Sequence, residues 1–145
     1  MRVATDSPVY FVDTNVPVYA VGRESAYKAP CLRVLEAVAH QQLNAITDAE
    51  VIQELVHHYH RAGRLVAGAV AIRRFRLLIP DTHAVTADDA MAALDLLVQF
   101  PALDARDAVH YAVMRRVGVS HIITVDQHFA TLPGVACVDP RDVPL

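Results

Sequence analysis

The sequence predicts an α/β fold in which a central, mostly parallel sheet carries helices on both faces. Short apolar runs typical of strands alternate with longer segments of helical periodicity, which is the pattern of a parallel sheet covered on both sides. The strand-like runs are continuously apolar, as buried strands are. The chain has 145 residues, 54% of them hydrophobic, so we expect residues 1–145 to form a single domain, with a leader at 1–8 and a tail at 141–145.

The first third of the chain predicts a strand, a helical region and a second strand. Residues 9–12, Val-Tyr-Phe-Val, form an apolar, β-rich run of strand length. Helical periodicity is weak from about Pro17 and strong over residues 27–42. The short run at 43–47 is a second strand candidate.

The middle third predicts two helices and a strand. Thr47 or Asp48 is a good N-cap for a helix that Gly63 ends. A second helical segment, 65–75, carries Arg73 and Arg74. The run Leu-Leu-Ile at 77–79, directly before a proline, predicts another strand.

The last third predicts two capped helices and two strands. Asp89 stands in place of the usual Glu in a capping box that opens a helix at Thr86. Asp104 caps a further helix that Gly118 ends. Two short apolar runs predict the remaining strands, at 122–125 and 135–138.

Acidic side chains fall where this architecture places its chemistry. Asp13 directly follows the first strand and Asp126 follows the strand 122–125, so both lie at strand carboxyl ends, where ligands bind. Asp107 lies in the first turn of the helix before Asp126. Glu54 lies in the helix after the second strand, with Glu50 one turn earlier on the same face.

Acids that converge on one cleft repel one another, and a bound divalent cation removes that cost. Oxygen ligands without cysteine or clustered histidine favour hard ions such as Mg²⁺ or Mn²⁺. Such an ion can lower the pKa of a bound water and neutralise charge on a phosphodiester. The pattern therefore indicates metal-dependent phosphodiester hydrolysis without a Ser, Cys or Lys nucleophile.

The histidines and the net charge indicate the function less clearly than the acidic residues do. His57, His58 and His60 lack the spacing of a zinc motif, so we expect them to flank the cleft or face solvent. His110, one turn after Asp107, is expected to be a packed or solvent-exposed residue rather than a nucleic-acid contact. The formal net charge of −3 argues mildly against nucleic-acid binding, although clustered arginines provide local positive patches.

Location is inferred from absent signals. Charges interrupt the apolar runs before the roughly 20 residues that a membrane helix needs. The N-terminus lacks the apolar stretch of a signal peptide. Two cysteines, Cys31 and Cys137, provide no CxxC motif. We expect a cytoplasmic protein with no membrane segment.

Four short motifs together resemble the PIN-domain family. Phe-Val-Asp-Thr-Asn at 11–15 resembles the start of that domain, and Val-Ile-Gln-Glu-Leu at 51–55 resembles its second acidic motif. Asp-Ala-Val-His-Tyr-Ala at 107–112 and Ile-Ile-Thr-Val-Asp-Gln-His-Phe at 122–129 resemble the third and fourth. The similarity extends over about 9–138, and it implies a PIN-like three-layer α/β/α sandwich.

At this length the chain most resembles VapC-type toxins of toxin–antitoxin pairs. The resemblance implies an Mg²⁺-dependent (or Mn²⁺-dependent) endoribonuclease that acts on RNA, forms a homodimer and is inhibited by a small VapB-like antitoxin. The mean hydropathy of +0.27 fits a chain that pairs with a partner, although a rich core explains it equally.

The resemblance also implies site residues. The four acidic positions match Asp13, Glu54, Asp107 and Asp126, which would be the catalytic and metal-binding carboxylates. Thr14, Asn15 and Thr124 would orient them. Asp104 is either the N-cap of its helix or a residue that faces the metal, and Glu50 is the rival to Glu54.

Other functions remain open from sequence alone. A PIN domain could act as an RNA-binding or regulatory module with little catalysis, or as an RNA-processing or DNA-directed nuclease without an antitoxin. A haloacid-dehalogenase-type phosphatase needs Asp-x-Asp after its first strand, where this chain has Asn15. A receiver domain needs a late lysine, whereas the only lysine is Lys28.

Overall fold

The computed structural model describes residues 7–145, in which five strands form one sheet in the order β3-β2-β1-β4-β5. All four strand pairs are parallel. The strands are β1 (Val9–Val12), β2 (Asn44–Asp48), β3 (Thr82–His83), β4 (His121–Ile123) and β5 (Ala136–Val138). Most of the leader expected at 1–8 lies outside the described residues.

Six α-helices flank the sheet and complete the three-layer α/β/α arrangement that the sequence predicts. They are α1 (Asn15–Val21), α2 (Lys28–Ala39), α3 (Ala49–Arg61), α4 (Leu65–Leu78), α5 (Ala87–Gln99) and α6 (Ala105–Val117). Neighbouring helices pack in pairs, α1 on α2, α3 on α4 and α5 on α6. No helix within residues 7–145 is long and apolar enough to cross a membrane.

The sheet brings the carboxyl ends of β1 and β4 together. Phe11 in β1 is in register with Ile46 on one side and Ile122 on the other, and all three side chains are buried. After β1 the chain builds outward through β2 and β3, then returns to place β4 on the other side of β1. Ligands bind at such a switch point in parallel sheets.

The strand predicted at 77–79 is wrong, because α4 continues to Leu78 and the strand lies later, at β3. Phe75 and Ile79 are four residues apart and both are buried, while Leu77 between them is 82% exposed. The amide of Ile79 also bonds the carbonyl of Phe75 at 3.0 Å. The apolar run therefore follows the helical period rather than that of a strand.

Helix α4 packs closely on α3 at Gly68, and this contact yields a stability prediction. A Cβ atom at Gly68 would lie 2.6 Å from Cβ and Cδ2 of Tyr59, and closer still to its Cγ. Gly68→Ala should therefore destabilise the protein by about 1–3 kcal/mol, although alanine favours a helix. Urea denaturation measures the change, with Ala67→Gly as a control for helix propensity alone. A more stable Gly68→Ala variant would contradict this packing.

Candidate active site

Asp13 is a buried carboxylate at the carboxyl end of the central strand. Its side chain accepts hydrogen bonds from Thr124 Oγ1 at 2.7 Å and from the amide of Thr14 at 2.8 Å. Burial raises the pKa of Asp13, and the opposing effects of His110 and of these hydrogen bonds do not cancel it. Holding a negative charge here therefore costs free energy, which a cation would offset.

Thr124 links the two strand ends through one hydroxyl group. Its Oγ1 donates to Asp13 and accepts from Asn15 Nδ2 at 3.0 Å and from the amide of Asp126 at 3.0 Å. Asn15 Oδ1 in turn accepts from the amide of Val125 at 3.1 Å. A hydroxyl has one donor and two acceptor sites, so all of its hydrogen-bonding capacity is used. This fixes Asp13 and the backbone before Asp126 relative to each other.

Glu54 reaches the same region from helix α3. Its Oε2 accepts from Thr14 Oγ1 at 3.0 Å, and its Oε1 lies 2.6 Å from His110 Nε2. Glu50, one turn earlier, makes no such contact and is absent from the residues that line the cleft. Burial, followed by the charge of Glu54, raises the pKa of Glu50. The geometry thus brings Glu54, rather than Glu50, to the side of the site occupied by Thr14.

His110 is fully buried between two carboxylates. Its Nδ1 lies 2.8 Å from Asp48 Oδ2 and its Nε2 lies 2.6 Å from Glu54 Oε1. Each ring nitrogen faces a carboxylate oxygen, which is an arrangement that favours the doubly protonated, cationic form of the ring. Burial by itself would lower the pKa of His110, but the hydrogen bonds with Asp48 and Glu54 and the charge of Asp13 raise it well above 6.5. His110 therefore places a buried positive charge within 4.0 Å of Asp48, Glu54 and Asp13.

Asp107 lies in the first turn of α6 and is the least satisfied acid of the site. Within residues 7–145, its Oδ2 is the one buried side-chain oxygen or nitrogen without a hydrogen-bond partner. Burial, then the charges of Asp104 and Asp13, raises the pKa of Asp107 to about 7. Buried polar atoms normally have partners, so this oxygen is available for a ligand.

Asp126 and His128 lie close to Asp107. His128 Nδ1 lies 3.1 Å from Asp126 Oδ2 and 3.9 Å from Asp107 Oδ2. The three residues can each offer one ligand atom, with all of these atoms within 4.8 Å of one another. The arrangement forms where the chain leaves β4 and enters a short 3-10 helix, Gln127–Thr131, which Asp126 caps.

The predicted acids open into one cleft with a cavity volume of about 550 Å³. Its walls include Asp13, Glu54, Asp107, Asp126, Thr14 and Asn15. Asp104 also lines the cleft, and its Oδ1 caps α6 by accepting from the amide of Asp107 at 2.8 Å. Asp104 is thus the N-cap of α6 and also borders the cleft, while contact with a metal stays a prediction. Arg61 and Arg106 add positive charge to the walls.

These residues fit a divalent cation. The unpartnered, buried Oδ2 of Asp107 lies 3.9 Å from His128 Nδ1, and ligand atoms of Asp107, Asp126 and His128 lie within 4.8 Å of one another. Burial raises the pKa values of Asp13 and Asp107, and repulsion from neighbouring acids adds to the increase, so a bound cation would offset the cost of ionising them. Carboxylates are the ligands that hard cations prefer.

Sequence reasoning missed three polar residues of the site. Asp48 was predicted only as an N-cap, a role it fills by accepting from the amide of Val51 at 2.9 Å, and its bond to His110 was not foreseen. His110 itself is packed, as expected, but it is charged and paired. His128 lies two residues after Asp126, a spacing that could have drawn attention to it.

Comparison with known proteins places the chain in a family. Residues 10–135 match the family model described as PIN domain. The chain is 32% identical to Ribonuclease VapC13 of Mycobacterium tuberculosis over 124 residues, 86% of this chain and 95% of the relative. It is 38% identical to Ribonuclease VapC23 of the same species over 121 residues, 83% and 95% of the two chains.

Solved structures agree with the fold. A Mycobacterium tuberculosis VapC20, described as a sarcin-ricin loop cleaving toxin, superposes with a TM-score of 0.68 at 25% identity, covering 84% of this chain and 92% of that one. VapBC2 from Rickettsia felis, bound to a promoter DNA fragment, superposes with a TM-score of 0.71 at 16% identity, covering 90% and 98%. PIN nucleases generally depend on a divalent metal. The chain belongs to the PIN-domain family and, within it, to the VapC ribonucleases.

Proposed function

We propose that this protein is the toxin of a toxin–antitoxin pair, an endoribonuclease that hydrolyses RNA with Mg²⁺ or Mn²⁺. The observation that carries the proposal is the acidic cleft at the carboxyl ends of β1 and β4, with its unpartnered Asp107 oxygen, in a chain of the VapC family. Asp13, Asp107 and Asp126 are the proposed metal ligands. Glu54 completes the site.

The protein's own residues hold this site ready. A divalent cation, when bound, supplies charge neutralisation at the phosphate and a lower pKa for an attacking water. Thr124 and Asn15 keep the Asp13 carboxylate oriented toward the cleft. Thr14 and His110 hold one oxygen each of Glu54. Preorganised carboxylates of this kind need no reorganisation when substrate arrives.

Positive groups beside the acids suit a phosphate backbone. Arg61 at the end of α3 and Arg106 in the first turn of α6 both line the cleft. Arginine is well suited to phosphate oxygens. The local charge therefore favours RNA binding although the formal net charge is −3.

Partners are proposed from the relatives and from exposed apolar side chains. The Rickettsia felis protein is a VapBC complex, and we propose that this chain likewise binds a VapB-like antitoxin. Val66 on α4 and Val98 on α5 are 89% and 79% exposed, so apolar side chains are available at the surface for contact with a partner. We propose that such surface is covered by the antitoxin and by a second copy in a homodimer, and that the complex resides in the cytoplasm.

The test is cleavage of total RNA, beside duplex DNA, with Mg²⁺, Mn²⁺ or EDTA. Wild type should cut RNA only with metal. Asp13→Asn keeps the shape of the side chain but loses the charge that a hard cation needs, so cleavage should fall by at least about 100-fold. Asp95→Asn, at an exposed acid on α5, is the matched control and should cut normally.

Three results would reject parts of the proposal. Equal cleavage by Asp13→Asn would mean that the site is wrong or that a contaminant cuts. Cleavage of DNA in preference to RNA would favour the DNA-directed alternative. RNA binding without any cleavage under any metal would favour an RNA-binding module.

A further inference from the structure

We propose that His128 is a metal ligand, acting through Nδ1 together with Asp107 and Asp126, and that its nitrogen makes this chain prefer Mn²⁺ to Mg²⁺. The inference deepens the proposed function, on which it rests for the presence of a cation in this cleft. It adds a residue that the acidic motifs do not include and a preference between metals that oxygen ligands alone do not give.

The distances between possible ligand atoms are the first argument for a metal site that includes His128. His128 Nδ1 lies 3.1 Å from Asp126 Oδ2 and 3.9 Å from Asp107 Oδ2, and ligand atoms of the three residues all lie within 4.8 Å of one another. Ligands of one metal ion, each about 2.1 Å from it, are separated by about 3–4 Å. The three groups can thus bind a common ion with small movements of side chains.

The unpartnered oxygen of Asp107 is the second argument for a metal ion at this position. Asp107 is 9% exposed, and its Oδ2 has no hydrogen-bond partner. That is the oxygen His128 Nδ1 approaches. A buried carboxylate oxygen without a donor is costly in a folded protein, so a ligand is expected between it and the facing groups.

Local structure holds His128 in this position. Its amide donates to Asp126 Oδ1 at 2.9 Å, and its carbonyl accepts from Thr131 Oγ1 at 3.1 Å. Phe129, the next residue, is fully buried and anchors the short helix. The backbone of His128 is therefore fixed beside Asp126, while its side chain remains 65% exposed and free to adjust around an ion.

The chemistry of the donors sets the preference. Mg²⁺ takes oxygen ligands and dehydrates reluctantly, whereas an imidazole nitrogen suits transition metals. Two carboxylates and one imidazole therefore bind Mn²⁺ with an advantage that Mg²⁺ does not gain from the nitrogen. Nδ1 must then be unprotonated, which leaves Nε2 to carry the proton on the exposed side of the ring.

The experiment detects the nitrogen directly. Mn²⁺ is added to the purified full-length protein without RNA, and pulsed EPR records the coupling of a coordinated ¹⁴N nucleus. Isothermal titration calorimetry measures the affinities for Mn²⁺ and Mg²⁺. The samples are wild type, His128→Gln and, as a control, His57→Gln, which alters an exposed histidine in the wall of the cleft.

We expect a ¹⁴N coupling in wild type and in His57→Gln, and none in His128→Gln. The Mn²⁺ affinity of His128→Gln should fall by about tenfold or more, while its Mg²⁺ affinity changes by less than about threefold. A second variant, His128→Asp, should bind Mn²⁺ without the ¹⁴N coupling and with a smaller preference for Mn²⁺ over Mg²⁺. Because residue 128 is exposed, folded protein is expected in each case, and circular dichroism checks it.

Absence of ¹⁴N coupling in Mn²⁺-loaded wild type would overturn the proposal, as would a coupling that persists in His128→Gln. Either result could coexist with normal RNA cleavage, in which case only the role of His128 would fail. A ¹⁴N coupling from His128 in a protein that cuts no RNA would instead support the ligand and reject the nuclease. The two failures are therefore distinguishable.

Discussion

Asp107→Asn should make the metal-free protein more stable at pH 8 and should abolish RNA cleavage. The pKa of Asp107 is raised from 3.8 to about 7, which corresponds to about 4 kcal/mol of unfavourable free energy when the carboxylate is ionised. Asparagine removes the charge but not the buried polar group. We therefore expect a gain of about 1–3 kcal/mol in the free energy of unfolding at pH 8.

The pH dependence follows from the direction of the shift. The folded state binds the Asp107 proton more tightly than the unfolded state, so the stability of wild type falls as pH rises from about 3.8 through about 7. The variant lacks this dependence. Its advantage should accordingly be small at pH 5 and should grow by about 2 kcal/mol by pH 8.

Urea denaturation in EDTA at pH 5 and pH 8 measures both effects, with Asp95→Asn as the exposed control. At pH 8 in saturating Mn²⁺, wild type should instead be more stable than Asp107→Asn. Bound metal stabilises the folded state, and the variant lacks one of the carboxylates proposed to bind it. A variant no more stable than wild type at pH 8 would show that Asp107 carries no electrostatic strain.

Local signals in the sequence were sufficient for most of the fold. The N-caps at Asp48, Thr86 and Asp104 and the left-handed Gly118 lie where their side chains or backbone freedom predict them. Each depends on residues a few positions apart, which a sequence displays directly. The strand prediction at 77–79 was wrong because three consecutive apolar residues occur at the end of a helix as readily as in a strand.

The site was predictable to a smaller extent. The acids at strand ends could be located because the fold class fixes which ends meet. The pairing of His110 could not be foreseen, since its partners Asp48 and Glu54 lie 62 and 56 residues away in sequence. Only packing of β2, α3 and α6 brings these three side chains together.

Replacing His110 with Leu should strongly destabilise the protein at pH 7. The change leaves Asp48, which is fully buried, and Glu54 without their shared cation. Removing one partner of a buried ion pair typically costs about 3–5 kcal/mol. His121→Leu is the matched control and should cost less than about 1 kcal/mol. His121 is a half-buried histidine on β4 that contacts the Ser120 hydroxyl and the edge of the Tyr10 ring and has no carboxylate partner among the described residues.

The cost of His110→Leu should also depend on pH. The pKa of His110 is raised above 6.5, so its contribution is fully present below pH 6.5 and is lost as pH rises through the folded-state value. The destabilisation measured by urea should therefore be larger at pH 6 than at pH 9. An equal cost at both values would mean that the ring is neutral in the folded protein.

A double-mutant cycle separates the ion pair from simple loss of packing. Asp48→Asn removes the buried negative charge, and asparagine remains a good N-cap for α3. If the cost of His110→Leu arises from an uncompensated charge, the double variant should recover about 1–3 kcal/mol relative to the sum of the single changes. If the destabilisation by the two single changes is additive in the double variant, the cost of His110→Leu arises from lost packing instead. Because Glu54 still loses its bond to His110 in the double variant, RNA cleavage should stay impaired even where stability returns.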